Sequence, residues 1–229
     1  MTPFGRLAPH FFLPLLGLLL PWAGAVPIPG KAADLSESEI KALLKEGALV
    51  YTENLAGKLW PRLTVIRPIA AQPDEAFAIF TDVEAESTYL PGILESRITR
   101  RVDERTVEVR YVQNMPWPVA NETMTILNRR ERVGRTYTVH WKLVQGTRVM
   151  ACEGRASFEP WSNATLMVYQ TWVDPGFDIA RWQIVRNIAA RSTEGATVLI
   201  EKQIYQVKSQ RPALFERLLA ECRKAVGSP

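Results

Sequence analysis

The chain is poor in the residues that acid–base, nucleophilic and metal chemistry draw on. Its 229 residues include two histidines and two cysteines. His10 lies in the apolar N-terminal segment, so His140 alone serves the rest of the chain. One histidine and two scattered thiols do not make a His/Cys metal site, and neither a metal nor a cofactor is expected. His140 alternates with Val139 and Trp141, which puts it on the polar face of its strand and away from any Ser-His-Asp or Cys-His grouping. The glycines are isolated, so no phosphate-cradling loop is present. Charge of one sign is also scarce: 28 Lys and Arg stand against 24 Asp and Glu. The basic clusters, Arg129-Arg130-Glu131-Arg132 and residues 100–105, are interleaved with acids, which argues against nucleic acid as a partner. Internal repeats and low-complexity segments are absent. Cys152 falls on a predicted strand and Cys222 on the last helix. A disulfide is chemically allowed in an oxidising compartment, but buried free thiols are the expected state.

A long apolar run occurs once, at the start. Arg6 precedes residues 11–20, which are apolar almost throughout, and Ala23-Gly24-Ala25 follows. That is the order of a secretory signal, with cleavage expected after Ala25. The run is shorter than the ~20 residues a spanning helix needs, and Pro14 and Pro21 interrupt it. The mature protein is therefore expected to be soluble and periplasmic or secreted. Arg6 leaves with the signal, so 27 basic residues remain against 24 acidic ones, a mild net charge of +3.

Past the signal, residues 26–46 read as a linker and a short helix. Ser36 is its N-cap, Glu39 closes a capping box, and Gly47 stops it. Strands follow at 48–54 and 59–70, then a helix opened by Pro73 and a second short helical piece at 82–89. From residue 93 the period is two, with strands at 93–102, 106–112, 119–127, 136–142, 148–158 and 165–173. A helical period resumes after Pro175-Gly176 and runs to about Val207, with a break expected near Gly195. Pro212 starts a last amphipathic helix within residues 209–229. The pattern predicts an α+β fold, a curved antiparallel sheet wrapped around a C-terminal helix, with short helices after the first strands. Such a sheet closed by a helix leaves a cavity, and a cavity lined by apolar side chains binds apolar molecules.

Three stretches carry a family resemblance. Residues 73–82 hold a proline before a short helix ending in Asp82; Tyr89-Leu90-Pro91-Gly92-Ile93 makes a helix-to-strand corner; Pro116-Trp117-Pro118-Val119 is followed downstream by Gly154, Tyr169 and Asp174-Pro175-Gly176. Together, in this order, they resemble the START-like helix-grip superfamily, the polyketide cyclase/dehydrase and lipid transport group (SRPBCC), over residues 47–208. The resemblance implies a cavity between sheet and long helix. Where family members often carry an Arg-Asp pair after the Pro-Trp-Pro-Val segment, this chain has Glu122 and Thr123, so no role of that arginine is carried over.

The ligand-lining candidates are Tyr111, Tyr137, Trp141, Met150, Cys152, Phe158, Tyr169, Trp182 and Leu199. The small residues Cys152, Gly154 and Ala156 leave room before the sheet. Trp117, Phe177 and Trp182 are candidates for the mouth or for transient contact with a membrane surface. The expected function is binding or transport of a lipid or other hydrophobic small molecule in the periplasm. No catalytic residue is assigned. The alternatives are a cyclase or aromatase-type enzyme using Glu122, Asn121, Tyr169 or Gln170, and a membrane-surface interaction module with a filled core. Asn121 and Glu122 are strand neighbours, so one points in and one out. Glu122 is expected outside, although Met124 and Ile126 share its parity.

Overall fold

The computed structural model describes residues 30, 32–115, 120–176 and 183–227. Residues 1–25, Trp117, Phe177 and Trp182 lie outside this set. Among the described residues, five α-helices and eight strands follow in chain order: α1 Glu37–Glu46, β1 Leu49–Glu53, β2 Arg62–Ile69, α2 Pro73–Phe80, α3 Glu86–Tyr89, β3 Ile93–Arg101, β4 Thr106–Gln113, β5 Glu122–Val133, β6 Thr136–Gly146, β7 Ala151–Trp161, β8 Ala164–Asp174, α4 Gln183–Gln210 and α5 Pro212–Val226. The strands form one curved antiparallel sheet in the order β1-β2-β8-β7-β6-β5-β4-β3. The hairpin β1–β2 reaches back to pair with β8, the longest-range closure in the sheet.

Local chemistry sets the helix ends. Ser36 Oγ accepts from the Glu39 N–H at 3.3 Å, and the Glu39 carboxylate accepts from the Ser36 N–H at 2.8 Å, completing the capping box. Gly47 ends α1 at φ 77°, a conformation that costs a residue without Cβ little. In α2, Pro73 occupies the first turn, where its missing N–H is no loss. The long helix α4 runs unbroken through Gly195, contrary to the expected break. Gly195 is exposed, and glycine in a helix interior costs about 1 kcal/mol, too little to interrupt a helix packed against its neighbours.

Both faces of the sheet are used. On the convex side, Leu43 of α1 joins Leu35, Ile66, Leu166 and Val168 in a buried cluster, and Tyr51 donates to Glu39 at 2.6 Å. The concave side holds the main core. Phe77 of α2 meets Tyr137 and Phe158 at ring separations of 5.4 and 5.8 Å, and Met167, Ile204 of α4 and Leu218, Leu219 and Cys222 of α5 complete the cluster. Each such large side chain, fully buried, contributes about 1.5–3 kcal/mol. Arg67 of β2 ties the sheet to α4, donating to Glu201 at 2.9 Å and to Thr197 at 3.4 Å. The core fills one end of the concave space, beneath α5, and leaves the other end open. Both cysteines are free thiols.

Candidate functional site

The open end is a cavity of ≈200 Å³ between the concave face of the sheet and the α2–α3 segment. Tyr111, Met124, Ile126 and Val139 form its floor on β4, β5 and β6; Phe80, Val83 and Leu90 form its roof. A third wall is made by Trp141, Cys152 and Tyr169. Period-two alternation produces this wall directly, because 137, 139 and 141 share one face and Trp141 stands opposite Gly154 on β7. Gly154 is needed there: an added Cβ would fall within contact distance of both the Trp141 ring and the Gln170 carbonyl oxygen. With no Cβ in the way, the indole settles 5.1 Å from the Tyr169 ring, which in turn lies 6.5 Å from Phe80. Wall and roof are thus joined by a row of three aromatic rings. Wider depressions lie on the convex face near His140 and along α4 beside β2; among the described residues neither is lined by a buried polar group left without a partner.

Besides Thr81, whose hydroxyl donates to the Phe77 carbonyl at 2.9 Å, four polar groups break the apolar lining. Glu86 of α3 has its carboxyl pushed up to about 8, by burial first and by the nearby Asp82 charge, while a hydrogen bond with the Tyr111 hydroxyl pulls the other way. Burial likewise raises the phenols of Tyr111 and Tyr169. The fourth group is Asn128 of β5. It is 7% exposed, lines the cavity, and its Nδ2 has no hydrogen-bond partner among the described residues. No basic side chain lines the cavity among the described residues.

The sequence candidates divide by depth. Tyr111, Trp141, Cys152 and Tyr169 meet at the cavity. Tyr137 and Phe158 are 1% and 0% exposed and pack into the filled core, where α2 and α5 cover them. Leu199 is half-buried on α4 and does not line the cavity. Met150 requires correction: it is 73% exposed. The strand predicted to begin at 148 begins at Ala151, because residues 147–149 turn aside to bond Glu122.

Glu122 is the second correction. It is 1% exposed and shares the inward parity of Met124 and Ile126. Its Oε1 accepts from the backbone N–H groups of Thr147, Arg148 and Val149 at 2.7, 3.0 and 3.3 Å, and the Arg148 guanidinium stands 3.4 Å from Oε2. A carboxylate so engaged staples the β6–β7 loop and has no free lone pair for substrate. Asn121 is exposed, and Gln170 points to the convex side, bonded to Thr64 and Arg155. His140 pairs with Glu131 at 2.7 Å on the outer face. No group of three potential metal ligands occurs among the described residues, and no described helix is long and apolar enough to cross a membrane.

Sequence reasoning passed over Glu86 and Asn128. Asn128 carried a signal, a polar residue that follows Met124 and Ile126 at the inward parity of β5. Glu86 carried none, since a four-residue helix has no periodicity from which to read a face.

No family model matches the sequence, and no curated protein matches it. Solved structures match its fold. A STAR-related lipid transfer protein from Xanthomonas axonopodis is 20% identical, with a TM-score of 0.62 over 70% of this chain and 95% of that one. Human STARD10 is 13% identical, with a TM-score of 0.66 over 89% of this chain and 91% of that one. Human StAR-related lipid transfer protein 5 is 12% identical, with a TM-score of 0.57 over 78% and 98%. At these identities the likeness is one of architecture. With its eight-stranded antiparallel sheet curved around a long C-terminal helix, the chain has the START-like helix-grip fold.

Proposed function

We propose that the protein binds and carries a lipid or another hydrophobic small molecule in the periplasm, loading and unloading by transient contact with a membrane surface. The observation that carries this reading is the aromatic-walled cavity left unfilled beside a closely packed core. Protein interiors are packed as densely as organic crystals, so an apolar cleft left unfilled beside such a core, with a few polar groups converging on it, is a candidate binding site. Each 100 Å² of apolar ligand surface taken from water contributes about 2.5 kcal/mol. Lipid transfer proteins named among the solved structures share the fold, which supports the same use here. The cavity weakens the reading of an interaction module with a filled core. Export rests on residues 1–25, with their basic start, apolar run and small-residue end.

One observation favours a second reading, an enzyme on this fold. A carboxyl held near 8 beside a tyrosine is suited to general acid–base work. Native mass spectrometry of the mature protein, purified from cell envelope without detergent, separates the two. A stoichiometric hydrophobic adduct, kept by Met150→Glu at the surface and lost in a folded Trp141→Glu variant, supports carriage. A clean mass, with no uptake from a lipid mixture, sinks it. Chemical conversion of added ligand, abolished by Glu86→Gln, moves the assignment to catalysis.

A further inference from the structure

The polar groups of the cavity say which kind of head the ligand carries, an inference that rests on the carrier reading. Asn128 is held on β5 opposite Val107 on one side and Trp141 on the other, so its amide cannot swing out to solvent. A buried donor without a partner is a standing cost to the folded protein, and native proteins keep such groups where something else completes them. The Nδ2 group donates, and what completes it is an acceptor oxygen. Glu86 and Tyr111 line the same cavity, and their carboxyl and hydroxyl groups offer further donor and acceptor positions. Charge then narrows the choice. With no basic side chain among the described lining residues, a phosphate or carboxylate head would enter apolar surroundings beside a carboxyl and find no counter-charge. The aromatic row of Trp141, Tyr169 and Phe80 accepts an apolar body. A cavity of ≈200 Å³ is little larger than the roughly 150 Å³ that holds benzene, so it takes the head and the first part of one chain or ring system, not two acyl chains together.

We propose that the ligand is an uncharged, single-chain or ring-bodied amphiphile whose hydroxyl or carbonyl oxygen accepts a hydrogen bond from Asn128 Nδ2 and sits against the Glu86–Tyr111 pair. Asn128 is then the residue that selects the head, and the aromatic wall selects nothing beyond apolarity.

The test uses four probes of one chain length, delivered as cyclodextrin complexes at neutral pH and followed by calorimetry: dodecanol, dodecane, dodecanoate and dodecyltrimethylammonium. Wild-type protein is expected to bind dodecanol about tenfold or more tighter than dodecane, the effect of completing one buried hydrogen bond, and tighter than either charged probe. In Asn128→Leu the alcohol and the alkane are expected to bind equally, with alkane affinity kept. Leucine removes an unpartnered polar group, so the variant is expected to fold, and unfolding curves check it. The wild-type series stands as a test even if the variant does not fold. Equal binding of dodecanol, dodecane and dodecanoate overturns this proposal and leaves carriage intact. Tightest binding of the trimethylammonium probe overturns it in favour of an aromatic cage for a cation. Failure of all four to bind overturns the carrier reading and this proposal with it.

Discussion

Replacing Glu122 tests the division between structure and site most directly. In Glu122→Ala, three backbone amides of residues 147–149 lose their acceptor, and the Arg148 guanidinium loses its carboxylate neighbour. A buried donor left unmade costs about 1–3 kcal/mol, and water reaching the loosened loop returns part of that. With three amides at the lower end of the range, the expected loss is about 3–4 kcal/mol, a large share of the roughly 5–15 kcal/mol that holds a domain folded. Glu122→Gln keeps one acceptor oxygen in the same place and is expected to lose about 1–2 kcal/mol, the part due to charge. Urea unfolding, with the slope m unchanged between variants, reads both numbers. In both variants, ligand bound per folded molecule should stay at the wild-type level, since the carboxylate does not line the cavity. A Glu122→Ala loss below about 1 kcal/mol would refute the staple argument. So would a Glu122→Gln protein of wild-type stability that no longer takes up ligand.

Three further outcomes are expected. Glu86 holds its proton in the folded state up to about 8, well above the ordinary 4.5, so the folded protein binds more protons than the unfolded one in between. Stability from this group is complete below the ordinary value and declines as pH rises towards 8, by up to about 1.4 kcal/mol per pH unit, before levelling off. Glu86→Gln should remove that slope while leaving the contribution of the neighbouring Asp82; Tyr89, Tyr111, Tyr169 and Cys152, all raised by burial, do not ionise in this window. Parallel stability curves for the two proteins between pH 5 and 8 would contradict it. Gly154→Ala forces the strand or the Trp141 ring to move, at about 1–3 kcal/mol; a lower melting temperature and a changed near-ultraviolet circular dichroism signal should report it, and an unchanged signal would count against the close seating of the indole. Arg67→Met cuts the tether from β2 to α4. Amide exchange in α4 should quicken relative to β7 and β8, and equal protection in both proteins would show that the helix is held by packing alone.

Much of this architecture could be read from local pattern. Ser36 and Glu39 announce α1, Pro73 announces α2, and the alternation of 107, 109, 111 and 137, 139, 141 names the concave face. These features depend on neighbours within a few residues, where backbone geometry and side-chain period act directly. Alternation tells which side of a sheet a residue takes, but not how far along the strand the core ends and the cavity begins. Tyr137 and Trp141 therefore look alike in the chain, yet one is packed beneath α2 and α5 and the other walls the cavity. Met150 and Glu122 changed places for a related reason. The amides that make a buried carboxylate tolerable come from residues 147–149, some 25 positions downstream, and in binding it they pull Met150 out to solvent. Glu86 and Asn128 became a site only when α3 was laid over β4 and β5. Burial and hydrogen-bond satisfaction are properties of the whole packing, so the residues most exposed to those two effects were the ones whose roles the chain left unwritten.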